Sequence, residues 1–516
     1  MASTASRVFK NIASNWLGLL INIVVSFFLA PFVVNHLGAD MYGIWAVVMQ
    51  FTGYVYLMDF GVRDSIIRYT AKYRATQNVL ALRRILSVAL ILYSIVFLFG
   101  MLFTSVISFV LLGFINISSV HMADAQIALF LMGANISVSF LFNIYGGLLQ
   151  GLQRFDVSNV IGVIFGLLRA ATVVVVLNGG GKVVELAGIQ VWFTLLGGII
   201  TVIAAQILMR REGLSIRPIH MTARKFRVLL RLVSGHSTYV FINNIGQKLT
   251  FATDALIISV FLPIASVTYY AIAGNLISYL ITLVASTAQV FNPVASHYAV
   301  QNDKAGLRTL MLRSARLNLF IGLPIVGTYI LLGDIFVRLW MGEEFVEKAY
   351  EVLMVLGFAQ ILSFPHHTIA SILYGIGQHR TLAFLRMAEG LINLALSILL
   401  VKSIGLIGVA IGTAIPHTII FGIILPVYAC RLLGIPWWQY VQKSLVGPLL
   451  NLIPFSFAAL AVREYLVPSN LMVFFLLVGG LSLLYLITGY RLCLLQEERN
   501  IVRAYVSRFI PTGSSQ

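Results

Sequence analysis

Apolar stretches of about membrane length recur along the whole chain, separated by short polar segments. A hydrocarbon core of ~30 Å needs about 20 mostly apolar residues per helix. That ruler predicts fourteen spans: 12–34, 41–60, 85–113, 125–149, 159–177, 186–209, 235–260, 265–290, 315–337, 350–374, 382–401, 406–429, 445–462 and 470–489. The pattern is that of an all-α polytopic membrane protein, with no strands expected. Arg7 and Lys10 precede the first span in the manner of a signal peptide. The apolar run is longer than the ~7–15 residues of such a peptide's core, and a second span follows at once. It therefore reads as a retained first helix.

Composition agrees. Of 516 residues, 59% are apolar and 10% charged, against about 25% charged in soluble domains. Disorder, collagen and a disulfide scaffold are excluded, and Cys430 and Cys493 are the two cysteines. The formal charge of +17 would suggest nucleic acid in a soluble chain, but the charges follow the spans. With the N-terminus inside, inner segments and the span ends beside them hold 28 of the 35 Lys and Arg residues, and outer segments hold five. The inner segments 61–84 and 210–231 are the densest. Lys and Arg concentrate in cytoplasmic loops, so both termini are expected in the cytoplasm and no nucleic-acid partner is expected.

The chain also repeats itself. Residues 148–171 align with 372–395, matching Leu149 with Leu373, Gly151 with Gly375, Gly166 with Gly390 and Ala171 with Ala395 at one offset of 224. Gly188 matches Gly408, and Arg211 matches Arg431, at an offset of 220. The expected organisation is an N-lobe at 1–231 (spans 1–6), a C-lobe at 232–444 (spans 7–12), and spans 13–14 with a cytoplasmic tail at 445–516. Six spans per lobe is even, so the repeat is parallel, as in transporters whose repeats are related by an axis along the membrane normal.

The stretch 30–73 carries Pro31, Leu37-Gly38, Tyr42-Gly43, Asp59-x-Gly61 and Arg68-Tyr69. It resembles the opening of the polysaccharide-transporter branch of the multidrug/oligosaccharidyl-lipid/polysaccharide (MOP) superfamily. Asp254-Ala-Leu-Ile-Ile, Phe291-Asn-Pro and Gly405-Leu-Ile-Gly are similar to later parts of that pattern, while Leu262-Pro263 departs from its Leu-Gly. The resemblance implies two six-helix lobes plus two further helices in a MATE-like arrangement. It also implies a Wzx-type flippase in the cell (inner) membrane. Such proteins translocate undecaprenyl-pyrophosphate-linked sugar repeats to the outer leaflet by alternating access. The implied partners are the bilayer, the lipid-linked oligosaccharide, and polymerase or glycosyltransferases of the same pathway.

A charge at mid-bilayer costs ~2.5–3.5 kcal/mol on insertion scales, so it needs a cavity or a partner. Arg169 and Lys248 are the candidate substrate-binding cations, a fork and a point charge suited to pyrophosphate. The alternative gives each a structural partner: Glu389 for Arg169, a nearby acid for Lys248. Lys248 and Asp254 lie roughly 120° apart on a helix and do not pair directly. The resemblance implies a cation site on helices seven, eleven and twelve, where Asp254, Glu389, Asn393 and Thr413 stand, with Na+ or H+ as the coupling ion. Glu389 has a competing partner in Arg386, three residues away.

Asp59 is expected to cap the helix that begins near Val62. His366 and His367, as helix neighbours, are expected on different faces, so a shared metal is not expected. Asn243, Asn244 and Gln247 are among the polar span positions expected mostly to bond between helices. Trp437, Trp438 and Tyr440 mark an interfacial segment. Gly179-Gly-Gly-Lys182 is too short for a phosphate-binding loop, and no metal-ligand spacing or nucleophile elbow occurs. The competing classes are a drug or organic-cation antiporter of the same superfamily and a membrane polymerase or glycosyltransferase. The expected class is a transporter that is not an enzyme and has no cofactor.

Overall fold

The computed structural model describes residues 2–59, 61–212, 219, 221–234, 238–493 and 499. Arg217 and most of the tail beyond Cys493 lie outside them, as do the side chains of Arg7 and Lys10. No strand occurs among the described residues. In lipid every backbone group must be satisfied within its own segment, and the helix does this.

In chain order the helices of the first part are α1 (Ala2–Val55), α2 (Val62–Ala75), α3 (Val79–Val110), α4 (Ser119–Gly151), α5 (Phe155–Asn178), α6 (Val183–Arg211) and α7 (Ala223–Ser234). Then follow α8 (Thr238–Phe251), α9 (Thr253–Phe261), α10 (Ala265–Ala288), α11 (Phe291–Val300), α12 (Lys304–Met341) and α13 (Val346–Ser363). The last are α14 (His366–Gly375), α15 (His379–His417), α16 (Leu425–Leu433), α17 (Trp437–Tyr440), α18 (Gly447–Tyr465) and α19 (Leu471–Leu492).

Among the described residues ten helical segments are long and apolar enough to cross a membrane, or eleven if α13 and α14 count as one bent span. Fourteen were expected, and the difference has physical causes. Spans one and two share the single helix α1, broken at Gly38 (φ 73°). Spans eleven and twelve share α15, broken at Ile404 and Gly405 (φ 64°). Positive φ is a conformation that glycine adopts without a Cβ clash, so the chain turns there with no loop. The expected seventh span is divided between α8 and α9, which meet at Ala252.

The chain forms two compact units, Met1–Ala271 with Arg386–Val409 and Ile272–Leu385 with Ala410–Gln516. These divide the chain at other points than the expected 231 and 444.

In the first unit α3 illustrates how the sequence selects its surroundings. Ile91, Ile95, Leu98, Leu102, Val106 and Phe109 are exposed along one face, while Gly100, Thr104 and Ser108 are buried on the other. Large apolar groups face outward and small or polar ones face protein, the reverse of a soluble helix. Thr104 packs where Gly133 of α4 has no side chain. A buried cluster of Val62, Ile66 and Tyr69 on α2, Leu82 and Ile85 on α3, and Phe140 and Ile144 on α4 ties these helices together.

The second unit is built around α12. Phe336 stacks on Trp340 at 5.6 Å and meets Phe474 of α19 at 5.2 Å. Phe320 meets Tyr485 at 4.8 Å, and Asn451 of α18 donates to the Tyr485 carbonyl at 2.9 Å.

Candidate functional site

Within the first unit, the end of α1 tightens into a 3-10 turn at Tyr56–Asp59, and Gly61, in the left-handed region at φ 71°, starts α2. This double bend turns Asp59, Arg63 and Asp64 toward α8. There they line a cavity of about 440 Å³ with Lys248, within the ~300–1,000 Å³ usual for small-molecule sites. Gln150 of α4 and Asn244 and Gln247 of α8 add amides, and Tyr56 and Phe241 add aromatic rings.

Lys248 is seated by an absence. Its ammonium lies so close to the α1 backbone that a Cβ on Gly53 would stand 2.7 Å from Nζ. The neighbouring Tyr54 hydroxyl lies 2.6 Å from Thr253 Oγ1 and donates to the Lys248 carbonyl at 3.4 Å, fixing α8 and α9 against α1. Arg63 brings the second cation, and its buried Nε has no hydrogen-bond partner among the described residues. Asp59 is not the cap of α2. Gly61 holds that position without a side-chain cap bond, and Asp59 instead accepts a 2.5 Å bond from the Tyr93 hydroxyl of α3.

The other expected site residues are distributed differently. Arg169 is exposed on α5, donates to Gln190 Oε1 of α6 at 2.8 Å, and is not among the residues lining the Lys248 cavity. Glu389, fully buried on α15, accepts from Arg386 Nη1 at 2.9 Å. Asn393, one turn further on, donates to the Thr250 carbonyl of α8 at 3.2 Å and receives the Ser397 hydroxyl at 3.4 Å. α8 and α15 approach closely enough for this because glycines face each other: a Cβ on Gly390 would stand 2.8 Å from the Gly246 carbonyl oxygen. Asp254, buried on α9, accepts the Tyr270 hydroxyl at 2.5 Å. Thr413 is buried and belongs to the second unit. Among the described residues no group of three or more His, Cys, Asp or Glu is arranged to hold a metal ion.

One expectation about neighbours changes. Asn244 and Gln247 are exposed in the cavity, so they join its lining. His366 and His367 are consecutive residues of α14, one buried and one half-buried, and their ring centroids lie 3.9 Å apart. The chain bends by 46° between Ser363 and His366, immediately before them.

Chemically the cavity offers a fork and a point charge for phosphate oxygens. Its amides and carboxylates can bond hydroxyls in either direction, and its aromatic rings offer apolar faces. Asp59, Arg63, Asp64 and Gln150 were not expected in a site. The spacing Asn244, Gln247, Lys248 was a usable signal, since positions i, i+3 and i+4 share one helix face.

Comparison with known proteins gives these features a family. The family model described as "Polysaccharide biosynthesis protein" matches residues 8–299, and the MatE model matches 240–399. A Shigella flexneri protein assigned as an O-antigen transporter is 22% identical over 416 residues, covering 79% of this chain and 94% of that one. Among solved structures, the lipid II flippase MurJ in an inward closed conformation superposes with a TM-score of 0.70 at 15% identity, over 93% of this chain and 98% of that one. An inward-facing multidrug resistance MATE family transporter of the MOP superfamily gives 0.69 at 14% identity, over 81% and 94%. The fold is the MATE-like fold, and the chain, a multi-pass membrane protein, belongs to the polysaccharide biosynthesis protein family.

Proposed function

We propose that this protein is a lipid-linked oligosaccharide flippase that carries undecaprenyl-pyrophosphate-linked sugar repeats from the inner to the outer leaflet by alternating access. The observation that carries the reading is the convergence of Lys248 and Arg63 with three amides, two aromatic rings and the carboxylates of Asp59 and Asp64 in one cavity of a membrane chain of this family. Lys248, seated against Gly53, meets the pyrophosphate as a point charge, and Arg63 presents its fork. Gln150, Asn244 and Gln247 bond the first sugars, while the polyprenyl tail stays in the bilayer. Direct contacts from the two cations and the amides replace part of the hydration whose loss makes unaided crossing so costly.

The protein is assigned to the cell (inner) membrane with both termini cytoplasmic, on the distribution of Lys and Arg. The lobes at 1–231 and 232–444 remain the proposed repeat. The polymerase and glycosyltransferases of the pathway are its proposed partners.

For ion coupling, Asp254, Glu389, Asn393 and Thr413 are the group implied by family resemblance. The Arg386 ion pair of Glu389 and the backbone bond of Asn393 favour a structural role for these two. A second reading, organic-cation antiport, draws support from Asp59 and Asp64 in the same cavity.

Deleting the gene separates the two. The flippase reading expects lipid-linked sugar to build up in the inner leaflet and surface polysaccharide to disappear. Unchanged polysaccharide and intermediates with raised drug sensitivity would overturn it.

A further inference from the structure

The second unit holds three histidines in contact, with Thr413 of the family-implied cation group one turn before His417 on α15. His366 and His367 open α14, and His417 closes α15. The His366 ring lies 3.9 Å from that of His367, 5.6 Å from that of His417 and 4.7 Å from that of Phe421, centroid to centroid. His366 and His417 are each 3% exposed, so the cluster is built into the protein interior.

Its position is mechanical as well as chemical. α13 and α14 are bent by 46° at the Phe364–Pro365 break. In an unbroken helix the Ser363 carbonyl would receive the amide of His367. Here that amide goes to Phe364 O at 3.3 Å, and His366 Nδ1 takes the vacated carbonyl at 2.5 Å. A carbonyl can only accept, so Nδ1 carries hydrogen, and in the neutral ring Nε2 is the position that takes a proton. On the other side, His417 follows Pro416 and precedes a π-helical segment, Thr418–Ile424. Such wide turns recur at functional sites. One imidazole cluster therefore joins two irregular points in two helices.

Most of the ionisable groups on the elements packed around the cluster are engaged elsewhere or lie away from it. On α12, Arg308 donates to the Leu433 carbonyl, Asp334 pairs with Arg463, and Arg313 and Arg316 line a separate cavity with Cys493. On α11, His297 rests on Tyr298, and on α16 Tyr428 bonds Gln378 while Cys430 lies near Tyr440 and Arg431 is exposed. On α13, Tyr350 bonds the Ile330 carbonyl, and Glu347, Lys348 and Glu351 stand in its first two turns, away from the break. On α14, Tyr374 lies against His379.

We propose that the His366–His367–His417 cluster is the proton-binding site that couples transport to a proton gradient. Imidazole is the side chain that changes charge near neutrality. A proton placed on His366 Nε2 puts a positive charge beside two other imidazoles and over the Phe421 ring, a favourable cation–aromatic neighbour. Protonation therefore changes which arrangement of the Pro365 and Thr418–Ile424 breaks is preferred. The coupling role rests on the transport reading above, whereas proton binding itself does not.

The test uses the full chain in liposomes. Hydrogen exchange of peptides covering 360–375 and 412–426 is compared at pH 5.5 and 7.5, corrected for intrinsic rates. Translocation of a fluorescent undecaprenyl-pyrophosphate oligosaccharide is then measured with and without a pH gradient. Wild type is expected to show pH-dependent exchange in both segments, and H366Q and H417Q, each made separately, to lose it. Stimulation by the gradient should vanish in both variants while ungraded translocation persists. A pH response retained in both variants, or absent from wild type, overturns the proposal. Should wild type respond in exchange yet move no lipid-linked sugar, the proton site stands and the flippase reading fails.

Discussion

Two regions of the first unit look alike in sequence and differ in structure. Lys248 and Glu389 are both charges inside apolar runs, and both carry the same burden of desolvation. Glu389 is fully buried, and its charge is met by Arg386 at 2.9 Å. Lys248 lines an open cavity with amides and aromatic rings around it, and its ammonium rests on bare backbone at Gly53. The cost of a charge at depth requires a partner or a cavity without deciding between them. The neighbours decide: a cation three residues away on one helix completes a structural pair, whereas residues from three segments of chain converge on a binding site.

The largest effect is expected where that comparison is broken at the buried end. Replacing Glu389 by Leu leaves the Arg386 charge poorly met and lowers stability by ~3–5 kcal/mol. It should be read as early thermal unfolding in detergent, and R386M/E389L should recover most of it. At the open end, Arg63→Ala removes a charged contact with the head group, worth ~1.5–3 kcal/mol. Surface polysaccharide export should fall by about tenfold or more at unchanged membrane abundance.

Gly53→Ala sharpens the case for Lys248. The new Cβ displaces the ammonium at a cost of ~0.5–1.5 kcal/mol, so export drops several-fold while melting stays near wild type. The smallest effect belongs to Arg169→Ala. Its partner Gln190 is neutral and the pair is exposed, so export should stay within about twofold of wild type. A loss as severe as that of Arg63→Ala would return Arg169 to the binding machinery.

Much of the fold was legible because apolar length follows directly from the thickness of the bilayer. The breaks at Gly38 and Gly405 were not, since apolarity continues across them and only the backbone angle changes. The Arg386–Glu389 pair could be read from spacing alone. The Lys248 cavity could be read only in part. Asn244, Gln247 and Lys248 share a helix face, but Asp59 and Arg63 arrive from nearly 190 residues away. Asp59 looked like a cap because the helix starts three residues later, and its actual partner, Tyr93, lies on another helix. The contact of His366 with His417 could not be read either, since the two lie on different helices about 50 residues apart in sequence.

The central claim is that Lys248 binds the head group of a lipid-linked oligosaccharide during its crossing. Its most direct test reconstitutes wild type and Lys248→Ala in liposomes carrying fluorescent undecaprenyl-pyrophosphate oligosaccharide, and follows the fraction that reaches the outer leaflet. The account predicts that wild type moves the lipid and that Lys248→Ala, folded and equally abundant, is slower by about tenfold or more. Equal rates for the two proteins would contradict it.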